Sequence, residues 1–171
     1  MIMSDDAQTI IAVLFFLIFL GIMLVPFLLF FGYVFYQNHK RKSIRERLWQ
    51  THGQRIGNGN PVPIRYCAER HFKSWFKIFP WEGTGVLLAT PGTAYFFGEH
   101  FNGNAVNLQL DRTNAAITWL GKCPFPNGAV SWFLVESQGQ KHYFTSETGA
   151  FVFGSNKSTR AAFDAALSSL T

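Results

Sequence analysis

Charge is what this sequence lacks over its longest stretch. From Thr9 to Tyr36, TIIAVLFFLIFLGIMLVPFLLFFGYVFY, there is no Asp, Glu, Lys or Arg, and no Asn or Gln. A soluble domain of this size has no use for a helix that is apolar on every face, so the absence weighs against burial in a protein core. A basic start is also missing. Asp5 and Asp6 stand where a secretory signal would carry Lys or Arg, and the run is longer than the roughly 7 to 15 apolar residues of a cleaved signal. Cysteine is scarce: Cys67 and Cys123 are the only two, and they lack CxxC spacing. That argues against a zinc site, and on the cytoplasmic side of a membrane it leaves two reduced thiols.

Signatures of catalysis are missing as well. There is no GxSxG nucleophile turn, no GxxxxGK[ST] phosphate loop and no GxGxxG after a strand. His71, His100 and His142 each offer a base, but no nucleophile and orienting group stand beside them in sequence. Glu99-His100 and Lys141-His142 have no metal-ligand spacing, and His39 is a remote candidate for a pigment or haem ligand. The expectation is a protein that is not an enzyme, with no cofactor, no metal, no nucleic acid and no small-molecule substrate.

What is present begins with the apolar run itself. As a helix its 28 residues extend about 42 Å, against a hydrocarbon core of about 30 Å. It is therefore expected to span a bilayer. Pro26 is expected to kink it, and Gly21 and Gly32 are too far apart for a GxxxG dimer face. Basic residues cluster after it: Lys40, Arg41, Lys42, Arg45 and Arg47 fall within eight positions. The positive-inside bias puts that end in the cytoplasm and the N-terminus outside. Tyr33 and Tyr36 sit where interfacial aromatics anchor a helix.

The formal net charge of +5 is not spread over the chain. Ten basic and two acidic residues between 37 and 77 concentrate it in a juxtamembrane band, so a nucleic-acid surface is excluded. These charges set topology and tilt. In a second reading they lie on an anionic leaflet, where each is worth about 1 kcal/mol. The expected organisation is an extracytoplasmic 1–8, a transmembrane helix 9–36, a basic helix and Gly/Asn/Pro linker 37–62, and one compact cytoplasmic domain 63–171. Asn156-Lys157-Ser158 matches a glycosylation sequon that a cytoplasmic placement leaves unused.

Past the linker, short apolar runs alternate with turn residues, the pattern of an antiparallel β domain. Candidate strands are 63–70, 85–90, 93–97, 106–111, 115–120, 130–136, 141–145 and 150–153. Pro91-Gly92 fits a type II turn, and Val106, Leu108 and Leu110 alternate with polar residues. Ala162, Phe163, Ala166, Leu167 and Leu170 mark one face of a closing helix. About seven strands capped by one C-terminal helix is thus the expected fold.

Aromatic residues are plentiful, with 19 Phe and five Trp. Phe72, Trp75, Phe76 and Phe79 fall at i, i+3, i+4 and i+7, opposite Lys73 and Lys77. Two readings stand: an interfacial amphipathic helix, or a short helix packed on the barrel. Trp49, Trp75, Trp81 and Phe125 lie off the obvious strands, either as anchors of a protein interface or as a cover for the barrel mouth.

The segment order GVLLAT-PG-TAYFFG, VNLQLD, AITWLG, VSWFLVES, KHYFT and STRAAFDAAL resembles the pleckstrin-homology-like superfold, including its GRAM branch, as carried by bacterial single-span proteins. The resemblance covers about Pro63 to Leu170. It implies a barrel plugged by a helix, anchored in a bacterial inner membrane. Lipid-binding members carry Lys and Arg on the first hairpin; here Pro91-Gly92 bears no charge, which counts against phosphoinositide binding by that route. The functional expectation is an accessory or scaffolding subunit of a membrane complex, with respiratory and photosynthetic assemblies as possible homes. Its partners would be integral membrane proteins and the bilayer. The alternative is a lipid-sensing module that reads anionic headgroups with Lys40 to Arg47 and the Phe72 to Phe79 stripe.

Overall fold

A computed structural model describes residues 5–53, 56, 60–77, 79–149 and 155–171. The expected strand 150–153 and much of the expected linker lie outside them. The chain resolves into two compact units, residues 1–39 and 40–171.

Helix α1, Asp5–Leu48, carries the apolar run without interruption, Pro26 included, and one π-helical turn follows at Trp49–Gly53. Among the described residues one helix is long and apolar enough to cross a membrane. Its most apolar 18-residue window has a mean hydropathy of 3.0, and none of that window is buried.

The second unit is a seven-stranded antiparallel sheet: β1 Val62–Ala68, β2 Gly83–Thr90, β3 Thr93–His100, β4 Ala105–Leu110, β5 Ala115–Lys122, β6 Ser131–Ser137 and β7 Gln140–Ser146. A short helix α2, Glu69–Lys73, follows β1, and helix α3, Ser155–Leu170, closes the chain. The strand order is β4-β3-β2-β1-β7-β6-β5, so β1 joins the two halves of the sheet. The sheet curls until its halves share one core. Ile64 and Tyr66 of β1, Leu87 of β2, Phe96 of β3, Phe133 of β6 and Phe144 of β7 meet there against Ala162, Phe163, Ala166 and Leu170 of α3. The result is a half-barrel with a helix on its concave side.

Alternation decides which residues meet. Successive side chains of a strand point to opposite faces. Tyr66 therefore enters the main core, while its neighbour Cys67 joins Trp81, Trp132, Leu134 and Tyr143 in a second cluster. A third cluster covers the back of β2, where Val86 receives Ile44 and Leu48 from the end of α1. The compact domain accordingly begins at Lys40, and the residues following the apolar run belong to it. Gly92, with φ +81, supplies the positive φ that the Pro91-Gly92 turn requires.

Only the start of the aromatic stripe takes an expected form, a short helix that packs Phe72 on the sheet. Helix α2 ends at Lys73, where Ser74 N–H donates to His71 O, so Trp75, Phe76 and Phe79 are not helical. The helical period is overridden by tertiary ring packing. Phe72 stacks on Tyr143 at 3.8 Å between centroids, and Phe79 lies against Trp81 at 6.0 Å.

Candidate functional site

Two features of the 40–171 unit carry unusual chemistry. The first is a buried ion cluster. Glu147 follows β7 and leaves only 2% of its side chain exposed. Its carboxylate accepts from Arg41 Nε at 2.9 Å, from Arg45 Nη1 at 3.2 Å and from Arg65 Nε at 2.9 Å, and also from Arg65 Nη2. Arg65 Nη2 donates to Gly149 O at 2.7 Å, and its guanidinium lies 3.9 Å from the centre of the Trp81 ring. Burial works to raise the Glu147 carboxyl, but the Arg65 hydrogen bond and the charges of Arg65, Arg41 and Arg45 outweigh it. They hold the group below the usual carboxylate range.

This cluster takes up residues read from the sequence as membrane-facing. Arg41, 3% exposed, and Arg45 turn onto Glu147 instead of projecting into solvent. Arg47 pairs with Glu99, and Lys42 lies 3.7 Å from Glu46. Lys40 is exposed, as are Tyr33 and Tyr36 on the apolar part of α1.

The second feature is an aromatic face. Of the seven rings expected at an interface, Trp81 is buried, and Phe72 and Phe79 are half-buried in the second core cluster. Trp49 is half-buried, its ring lying against Gly53. Three project outward: Trp75 is 77% exposed, Phe76 90% and Phe125 76%. They sit on two loops braced against each other. Lys77 Nζ donates to His71 O at 3.1 Å and Phe72 O at 3.0 Å in its own segment, and to Asn127 Oδ1 in the loop that carries Phe125. Trp132 Nε1, from the second core cluster, donates to Asn127 O at 3.0 Å.

Phe76 also forms part of the wall of a cavity of about 500 Å³ with Phe79, Trp81, Phe101, His71, Glu82 and His100. Glu82 Oε1 accepts from Ala68 N–H at 2.6 Å. Imidazoles flank the same carboxylate, His100 Nδ1 at 3.8 Å from Oε1 and His71 Nδ1 at 3.9 Å from Oε2. Burial first, then the Glu82 charge, pushes the Tyr66 phenol and the Cys67 thiol up. Among the described residues no group of three or more His, Cys, Asp or Glu is placed to hold a metal ion.

Sequence reasoning passed over Glu82 and Glu147. Each stands alone in its local segment, and the partners that define it are brought by the fold from far away in the chain. No protein-family model, curated protein or solved structure matches this chain.

Proposed function

We propose that this protein is a non-enzymatic, membrane-anchored docking subunit. In this reading α1 holds the chain in a bacterial inner membrane with its C-terminal domain in the cytoplasm. A pleckstrin-homology-like half-barrel then offers its aromatic face to an integral membrane protein anchored beside it. The strand order and the closing helix support the pleckstrin-homology-like assignment. The observation that carries the function is the exposure of Trp75, Phe76 and Phe125 on two mutually braced loops. Exposed rings held on an ordered base resemble the anchors that dominate binding energy at protein interfaces.

Headgroup reading by Lys40 to Arg47 has less support. Arg41, Arg45 and Arg47 are each drawn onto a carboxylate of the domain, so fewer positive charges remain to meet an anionic surface.

The test is to solubilise native membranes in mild detergent, size the particle and identify what travels with the 19.4 kDa chain. A larger particle containing an integral membrane protein, reduced to the single chain by replacing Trp75, Phe76 and Phe125 with Ala, is the expected result. A wild-type chain migrating alone, or a triple variant that keeps its partner, rejects the proposal. Binding of the domain to vesicles that scales with anionic lipid would favour headgroup recognition instead.

A further inference from the structure

We propose that the cavity under Phe76 is a binding site for a primary ammonium group carried on an apolar stem. The inference does not depend on the docking reading, although Phe76 belongs to both, since a single chain supplies the whole site.

The argument begins with the tautomer of His71. Its Nε2 lies 3.0 Å from Phe79 O. A carbonyl oxygen can only accept, so Nε2 carries the proton and the Nδ1 of the neutral ring is an acceptor. That Nδ1 faces Glu82 Oε2, another acceptor, at 3.9 Å. Both side chains are about three-quarters buried, at 26% and 25% exposed, so a donor or a positive charge entering the cavity between the two acceptors is favoured. Glu82 Oε1 is already occupied by Ala68 N–H, whereas Oε2 has no hydrogen-bond donor among the described residues. On the other side His100 Nδ1 approaches the same carboxylate at 3.8 Å. His71 Nδ1 and Glu82 Oε2 thus face one charged donor, with the His100 ring beside the other carboxylate oxygen.

A primary ammonium has three N–H donors and no acceptor, which matches this set. The rest of the cavity selects the stem. Phe76, Phe79, Trp81 and Phe101 form apolar walls around a volume of about 500 Å³, within the range of small-ligand sites. Ring faces also attract cations. Lys77, which lines the same cavity, is engaged by the carbonyls of His71 and Phe72 and by the Asn127 side chain. The amine is either a free small molecule or the lysine side chain of a polypeptide; both offer the same head and stem.

The experiment titrates the full chain in detergent micelles with benzylamine. Benzyl alcohol is the uncharged control, and empty micelles correct for partitioning. The expected result is saturable binding with half-saturation below about 5 mM, no binding of the alcohol, and movement of the His71 and His100 ring-proton signals with the same saturation. Glu82→Gln keeps an acceptor for Ala68 N–H and removes the charge, and should weaken binding by about tenfold or more. Phe76→Ala, at an exposed position that folding does not need, should weaken it by about threefold. Nα-acetyl-lysine methylamide is run in parallel. The tighter of the two probes names the source, and either one binding supports the site.

The proposal is overturned if neither amine binds at 20 mM (about four times the expected half-saturation), if the histidine signals stay still, or if the Gln variant binds as well as wild type. Zinc chloride binding at these residues more tightly than either amine would overturn it in favour of a metal.

Discussion

Glu147→Gln isolates the largest electrostatic commitment in the domain. The substitution preserves shape and removes one negative charge from among three guanidiniums, of which Arg65 and Arg41 are 1% and 3% exposed. Wild-type Glu147 offsets much of the cost of burying them. Breaking a buried pair from one side costs about 3–5 kcal/mol, because the charge left behind is neither hydrated nor matched. Against a typical stability of about 5–15 kcal/mol, that is a large share. At about 3–5 °C per kcal/mol for a domain of this size, the melting temperature should fall by about 10–20 °C.

Thermal unfolding followed by near-ultraviolet circular dichroism in detergent reads this directly, since the rings near the cluster report on the domain and not on α1. The pH dependence supplies a second measurement. A carboxyl held below its unfolded value of about 4.3 adds stability that is present above that pH and is lost as pH falls through the folded value. Wild type should therefore lose stability on acidification, and the acid limb of Glu147→Gln should be flatter. A melting temperature within about 3 °C of wild type, less than about 1 kcal/mol, would refute the reasoning. So would an unchanged acid limb.

Other substitutions test other links. Phe96→Ala removes a fully buried ring from the shared core and should cost about 3–5 kcal/mol in denaturant unfolding. Trp75→Ala, Phe76→Ala and Phe125→Ala should each change stability by less than about 0.5 kcal/mol in the same assay, because these rings face solvent. In Gly85→Ala the new methyl meets Phe97 O and the Phe96 ring; about 1–3 kcal/mol should be lost, visible as a lower denaturation midpoint. Cys67 is buried and its thiol is pushed up by burial, so iodoacetamide at pH 8 (roughly half a unit below the usual thiol value) should alkylate Cys123 first, with Cys67 reacting only on unfolding. Peptide mapping by mass spectrometry distinguishes the two sites.

Much of the fold was legible because its signals are local. The alternation of Val106, Leu108 and Leu110, the Pro91-Gly92 turn and the apolar face of the closing helix each act within a few residues, and each appears where expected, except that Leu167 lies at the exposed edge of that face and Thr159 is buried instead. The candidate site was less legible. The period of Phe72, Trp75, Phe76 and Phe79 reads as a helix only while the chain is considered alone. Tyr143, Trp132 and Trp81 claim Phe72 and Phe79 individually, and the helix stops at Lys73. Glu82 gains meaning only when α2 and the end of β3 bring His71 and His100 to it. Neither histidine has a sequence spacing that signals the meeting.

By itself the sequence determined the long apolar helix, the run of short strands and the closing amphipathic helix. Hydrophobic patterning acts through backbone periods of 3.6 and 2 that any reader of the chain can count. Only the tertiary structure decided which charges are spent inside the domain and which rings remain outside it. Arg41 and Glu147 stand 106 positions apart, and no local period relates residues at that distance. Their pairing follows from where the end of α1 packs on β2, beside the place where β1 and β7 carry Arg65 and Glu147 together.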